Sequence, residues 1–215
     1  KGFQRMLVYD LAVMGEKDRA TIEDIKPGDS TRKIMRETCH RDMESIVITE
    51  KLNDSETIDE CVRLMSAANT INLFGMGSSL LSARDLYYKL LRANVPCNAC
   101  DDWHAQIVFA HNSGPNDLAI AFSYSGRTSE VIKCARAAHG QRTPVVAVTR
   151  SGFDSELASI ADLVLRVSST EPVLRSSAGA SRISMLAVVD MLFAAYVNKN
   201  YERSVEAIER NYIER

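Results

Sequence analysis

Residues 117–140 read DLAIAFSYSGRTSEVIKCARAAHG, and this stretch decides the fold. Its first part, DLAIAFSYS, holds an unbroken apolar run. A strand with one wet face alternates apolar and polar residues, whereas one buried on both faces is apolar throughout, as in a parallel sheet. The second part, RTSEVIKCARAAHG, has helical spacing and closes on Gly140. Strand, glycine-containing turn and helix follow one another within 24 residues. That sequence of elements is half of a right-handed crossover.

The same alternation extends in both directions. INLFGMG at 71–77, VPCNAC at 95–100, PVVAVTRS at 144–151 and DLVLRVSS at 162–169 read as further strands. Between them, 78–94, 102–113 and 156–161 read as helices, and 182–198 and 202–212 as two closing helices. The predicted fold class is therefore α/β, a doubly wound, five-stranded parallel sheet flanked by helices. A helical N-terminal segment precedes it. Residues 1–15 show apolar residues at helical spacing (Phe3, Met6, Leu7, Leu11), 16–29 read as a charged linker, and the sheet domain with its leading helices occupies 30–215. One leading helix starts near Ser30 and carries Ile34, Met35, Met43, Ile46, Ile48 and Leu52. A second follows Asp54, with Ser55 or Thr57 as its expected cap.

Composition narrows the function classes. The chain has 215 residues, 46% hydrophobic and 25% charged, the mix of a globular protein rather than a disordered one. With 26 Lys+Arg against 28 Asp+Glu the net charge is −2, so no basic field is present for gripping nucleic acid. The first seventy residues hold eleven Lys+Arg and fourteen Asp+Glu, which leaves little counterion release to drive DNA association. The most apolar stretch, 183–197, is interrupted by Asp190 and falls short of the roughly twenty residues that span a bilayer. It is expected to be a core helix, with no membrane partner and no signal peptide. The expected localisation is cytoplasmic. Five cysteines, an odd number, suit a reducing compartment. Cys97 and Cys100 form a C-x-x-C, but neither a second such pair nor histidines at ligand spacing accompany it, so no metal site or cofactor is expected. The cysteines read as small buried hydrophobes.

Ligands of an open parallel sheet gather beyond the carboxyl ends of its strands. Two of those ends are unusual. One carries Gly75, Met76, Gly77, Ser78 and Ser79; the other carries Ser123, Tyr124, Ser125, Gly126, Arg127, Thr128 and Ser129. The first is neither a dinucleotide fingerprint, since Leu80 stands where the third glycine belongs, nor a P-loop, which requires Gly-Lys-Ser/Thr. The second places four serine and threonine hydroxyls within seven residues, with Arg127 as the sole cation. Glycines allow close backbone approach, and hydroxyls with free amides at a helix start suit a phosphate. The plainer alternative is that these hydroxyls cap helices.

GMGSS, SYSGRTSEVI and VSSTEPVLRSSAGASRISMLAVVDMLF together resemble the sugar-isomerase (SIS) domain over about residues 53–198, the S-x-S-G-x-T turn being the most specific part. Glu171, then Ser181-Arg182 and the helix with Asp190, is similar to the RpiR-type bacterial transcriptional regulators. In that family a winged helix-turn-helix precedes a SIS domain that binds a phosphosugar, and residues 1–11 resemble the last helix of the DNA-binding part. The resemblance implies a homodimer or higher homo-oligomer, a phosphosugar effector, and operator DNA contacted through an N-terminal domain. Ser123, Ser125 and Thr128 match the phosphate-binding hydroxyls, with Ser78, Ser79, Tyr124 and Gly126 in the same loops. Glu171 matches the acidic residue that faces the sugar, and Asp102 and His104 lie where relatives contribute sugar contacts. By themselves His104 reads more readily as a surface or capping residue and Trp103 as a packing residue, Arg175 as a solvated charge, and Arg182 as either a structural ion pair or a ligand contact. The expected function is a regulator's effector domain with no catalytic residues. Its rival is a phosphosugar isomerase or lyase using the same pocket, with Glu171 as the base. A dimerisation module with no ligand is a third reading.

Overall fold

Val145, Val146, Ala147 and Val148 are all fully buried, so both faces of that strand are covered and β-branched residues fill them. That strand is one of five that make a single sheet in the computed structural model, which describes residues 28–152, 155–169 and 179–213. They are β1 (Ile71–Gly75), β2 (Cys97–Ala99), β3 (Leu118–Phe122), β4 (Val145–Arg150) and β5 (Leu163–Val167). Their order is β2-β1-β3-β4-β5, and every pair is parallel. The doubly wound sheet expected from the sequence is therefore present. Residues 1–27, on which the expected N-terminal helical segment and most of the expected 16–29 linker fall, lie outside the described residues, as do Glu171 and Arg175.

Helices cover the sheet in two unequal layers. One layer comprises α1 (Thr31–Leu52), α2 (Ser55–Ala67), α3 (Ser78–Arg92) and α7 (Gly179–Lys199). It packs on the large residues of the sheet, including Leu73, Ile120, Phe122, Val148 and Leu165. The other comprises α4 (Trp103–Asn112), α5 (Ser129–Gly140) and α6 (Glu156–Ile160). There Ala119, Ala121 and Ala147 meet Ala135 and Ala138, so α5 can lie close to the strands. The last helix, α8 (Tyr201–Arg210), packs beside α7. By length and composition α7 could cross a membrane. Here Met185, Val188, Val189 and Leu192 are buried against the sheet layer, which makes it a core helix.

Two local expectations are corrected. The cap of α2 is Asp54, whose carboxylate accepts from the Thr57 N–H at 2.8 Å, not Ser55 or Thr57. The cysteines divide: Cys61 and Cys134 are buried, Cys97 and Cys100 partly so, and Cys39 is exposed on α1. Burial pushes the thiols of Cys61 and Cys134 up to about 12 and that of Cys97 up to about 11. A thiol raised that far carries almost no thiolate at neutral pH, so the C-x-x-C is poorly set up for redox chemistry.

The attachment of α1 is polar. Its buried residues are Ser45 and Thr49, while Met35, Met43, Ile46 and Val47 face outward. Thr49 Oγ1 accepts from the Ser168 N–H at 3.1 Å. Immediately beyond α1, Asn53 treats Arg166 of β5 as a neighbouring strand would. Its Oδ1 accepts from the Arg166 N–H at 2.8 Å and its Nδ2 donates to the Arg166 carbonyl at 2.7 Å. These bonds close the outer edge of β5, which would otherwise offer unpaired backbone to another chain.

Two outcomes are expected. Asn53→Ala removes both edge bonds and leaves two β5 backbone groups to find other partners, so unfolding free energy should fall by about 1–3 kcal/mol in urea titration. An unchanged midpoint would mean that water satisfies the edge equally well. In labelling with a thiol reagent at pH 7.5, Cys39 should react quickly, while Cys61 and Cys134 react only on unfolding. Native-state modification of the latter two would contradict their burial.

Candidate functional site

The chain leaves β1 through α3 to reach β2 on one side, then returns through α4 over the opposite face to β3 on the other. The direction of winding reverses between β1 and β3, and that reversal leaves a crevice beyond their carboxyl ends. Gly75 pairs with Phe122 at the last rung of the β1–β3 ladder. The loops 76–79 and 123–129 therefore leave adjacent strands at the same level. Both sequence-predicted loops sit at this one place.

In the first loop Gly77 is the N-cap of α3, with φ +56°, and no side chain caps the helix. Ser78 is half-buried and Ser79 is buried, both within the first turn of α3. Their hydroxyls stand beside amides that the helix itself cannot satisfy.

The second loop is held more tightly. The Gly126 N–H donates to the Ser123 carbonyl at 3.0 Å, closing the turn. The Ser125 hydroxyl accepts from the Arg127 N–H at 3.2 Å. Ser123 and Thr128 hydroxyls lie 2.9 Å apart, with Ser123 1% exposed and Thr128 half-buried above it. Thr128 is the N-cap of α5, yet its side chain makes no cap bond. The plain reading of these hydroxyls as helix caps thus fails at both loops. Thr128 instead turns toward Ser123, which leaves the Ser129 N–H uncapped by that side chain, at a helix end that favours an anion. The Ser129 hydroxyl donates to Glu130 at 2.9 Å. The Glu130 N–H and that hydroxyl hold the Glu130 carboxyl below the usual carboxylate range.

β4 and α6 support the turn from beneath. Tyr124 is buried, and its carbonyl accepts from the Arg150 N–H at 3.1 Å and from Thr149 Oγ1 at 3.3 Å. The Arg150 guanidinium lies 6.0 Å from the Tyr124 ring centre. Gly126 has φ +63°, and its carbonyl accepts from the Leu157 N–H at 3.2 Å. A Cβ at Gly126 would stand 2.1 Å from Ser155 Oγ and 2.9 Å from Thr149 Oγ1. Only glycine meets both conditions.

The third region lies at the start of α4. Asp102 caps α4, accepting from the His104 N–H at 3.0 Å. His104 is exposed, with its ring 5.0 Å from that of Trp103. Among the described residues no hydrogen bond joins its imidazole to either loop, and Arg182 is exposed on α7. One residue that sequence reasoning missed is Gln106, 1% exposed on α4. Its carboxamide accepts from the Gly75 N–H at 3.1 Å and donates to the carbonyls of Gly75 at 3.0 Å and Cys100 at 2.7 Å. The available signal was a lone amide in the apolar run AQIVFA. Among the described residues no cluster of three metal-ligating side chains occurs.

Backbone strain alone should cost roughly 1–3 kcal/mol in either Gly77→Ala or Gly126→Ala. Gly126→Ala adds overlap with Ser155, roughly 1–3 kcal/mol more, whereas a Cβ at Gly77 meets nothing within 4 Å. Thermal denaturation should therefore rank Gly126→Ala as clearly the more damaging. The reverse order would show that the Ser155 contact is not a real constraint.

The sequence pattern of the SIS domain matches residues 64–195. An HTH-type transcriptional regulator of Caldanaerobacter subterraneus is 31% identical over 209 residues, covering 97% of this chain and 74% of the relative. Among solved structures, the Vibrio vulnificus NanR protein complexed with ManNAc-6P superposes with a TM-score of 0.78 at 29% identity, over 86% of this chain and 67% of that one. The sugar isomerase domain of an RpiR transcription factor from Sphaerobacter thermophilus shares the fold, with a TM-score of 0.74 at 22% identity over 82% of this chain and 96% of its own. The crevice between β1 and β3, the two hydroxyl-bearing loops and these likenesses agree: the chain belongs to the SIS-domain family and is related to the HTH-type transcriptional regulators.

Proposed function

We propose that this chain is the effector-binding part of a transcriptional regulator and that its ligand is a phosphosugar. The observation that carries the reading is the pairing of uncapped helix starts with hydroxyls at one crevice. Thr128 sits at the N-cap of α5 without capping it, and Ser123 holds its hydroxyl in place. A phosphate seated there takes hydrogen bonds from Ser125, Thr128 and the amides of 128 and 129, and the positive end of α5 adds to them. Ser78 and Ser79, in the loop that leaves β1 at the same level, are assigned to the sugar or a remaining phosphate oxygen. Tyr124 and Gly126 shape the turn. His104 and Glu171 belong to this proposal as sugar-facing residues on the strength of family resemblance alone.

The sugar supplies the information and the phosphate the grip. A phosphorylated N-acetylamino sugar is the first class to test, because the NanR structure at 29% identity holds ManNAc-6P. In this reading the chain works as a homodimer or higher homo-oligomer in the cytoplasm, and ligand binding shifts the geometry with which an N-terminal helix-turn-helix domain meets operator DNA. Exposed Leu81, Tyr88 and Leu91 give α3 an apolar outer surface suited to such self-association. The proposed role is binding, not turnover.

Calorimetry with hexose and N-acetylamino-sugar 6-phosphates tests this. A hydrogen bond to a charged group contributes about 1.5–3 kcal/mol, so Ser125→Ala or Thr128→Ala should weaken binding roughly 10- to 100-fold. Fold stability should change little, since both side chains are only partly buried. Equal affinity for phosphorylated and free sugar would remove the phosphate site. Steady conversion of the sugar phosphate by the wild-type chain would replace the regulator reading with an enzyme.

A further inference from the structure

Gln106 stands where a rung of the sheet should be. Along β1 the odd-numbered residues present their backbone toward β2: Ile71 pairs with Cys97 and Leu73 with Ala99, and the Ile71 N–H donates to the Pro96 carbonyl at 3.0 Å. The parallel ladder repeats every two residues. Continued by two steps, it would have the Gly75 N–H donate to the Cys100 carbonyl. β2 ends at Ala99, and that bond is not made. The Gly75 N–H goes to Gln106 Oε1 instead, and Gln106 Nε2 donates to the Cys100 carbonyl. One side-chain amide is thus inserted between two backbone groups that would otherwise meet directly.

The insertion parts β1 from β2 at their carboxyl ends by the width of an amide. It also ties together two loops that share no other described hydrogen bond. Gly75 leads directly into 76–79, and Cys100 leads into 101–104, whose Asp101 pairs with Arg84 of α3 at 2.6 Å. Gln106 cannot slide, because it is buried and its helix is anchored by Trp103, Ile107 and Ala110 against the alanine-rich face. Resting on the phosphosugar reading above, we infer that Gln106 is a positioning residue: it sets the spacing between loops 76–79 and 100–104 and thereby decides which sugar is accepted. The phosphate turn at 123–129 lies on the other side of β1, and the hydrogen bonds that hold it come from β4 and α6 and none from Gln106.

The separation of sugar from phosphate gives the test. Gln106→Met keeps the length and removes all three bonds. Binding of hexose and N-acetylamino-sugar 6-phosphates should fall tenfold or more, with altered ranking among them, while inorganic phosphate, measured in parallel, changes less than twofold. Equal losses for both probes, or no loss for either, overturn the inference. Wild-type protein that binds inorganic phosphate but none of the sugar phosphates overturns the phosphosugar reading itself, a result distinct from failure of Gln106→Met. Hydrogen exchange supplies a readout independent of ligand: in Gln106→Met the amides of 76–79 and 100–104 should both exchange faster, and those of 123–129 should not. If the variant does not fold, wild-type exchange decides. Sugar phosphate should slow 76–79 and 100–104 together, and inorganic phosphate only 123–129; protection of one of the first two segments without the other refutes the coupling.

Discussion

Everything at the site follows from the rung that joins Gly75 to Phe122. Parallel strands cannot be linked by tight turns, so each must be reached by a crossover over one face of the sheet. Because β1 and β3 are neighbours while the crossovers leaving them run in opposite directions, no helix can cover the space beyond that rung. The loops on either side become the floor and wall of a cleft. Their chemistry is then a matter of which side chains the turns carry. The fold supplies a place where backbone amides are unspent, and the sequence fills it with hydroxyls rather than with apolar cover.

The two layers divide the labour. Large residues, packed under α3 and α7, give the sheet its bulk. On the other face alanines allow α5 to approach closely, and with it the N-terminus that points at the turn. A bulkier side chain at Ala119 or Ala121 would lift α5 and carry Thr128 away from Ser123. The small residues of that face are thus as much a part of the site's geometry as the hydroxyls are.

Strand positions and the sheet's parallel character were legible because two-sided burial leaves an all-apolar signature within five or six residues. The two loops were legible because glycines and hydroxyls concentrate there within short spans. Whether those hydroxyls cap their helices was not, since a capping threonine and a turned-away one have the same neighbours in sequence. The cap of α2 was misread for a related reason, three possible caps lying within four residues. Gln106 escaped because its partner Gly75 is thirty-one positions away, and separation of that kind leaves no local pattern. The inner face of α1 escaped because periodic apolar residues direct attention to Met35, Met43 and Ile46, whereas serine, threonine and asparagine make its contacts with β5.

That last contact has a mechanical side. A helix seated on oily side chains can roll about its axis at little cost, since dispersion contacts are non-directional. One keyed to strand backbone through Thr49 and Asn53 cannot, because hydrogen bonds weaken steeply off their preferred angle. At 1.5 Å per residue the 22 residues of α1 make a rod about 33 Å long. Its keyed end is the C-terminal one, and α7 packs against the same helix. With its rotation fixed by Thr49 and Asn53, the rod holds one bearing, and the direction in which its Thr31 end points is set by two residues at the opposite end.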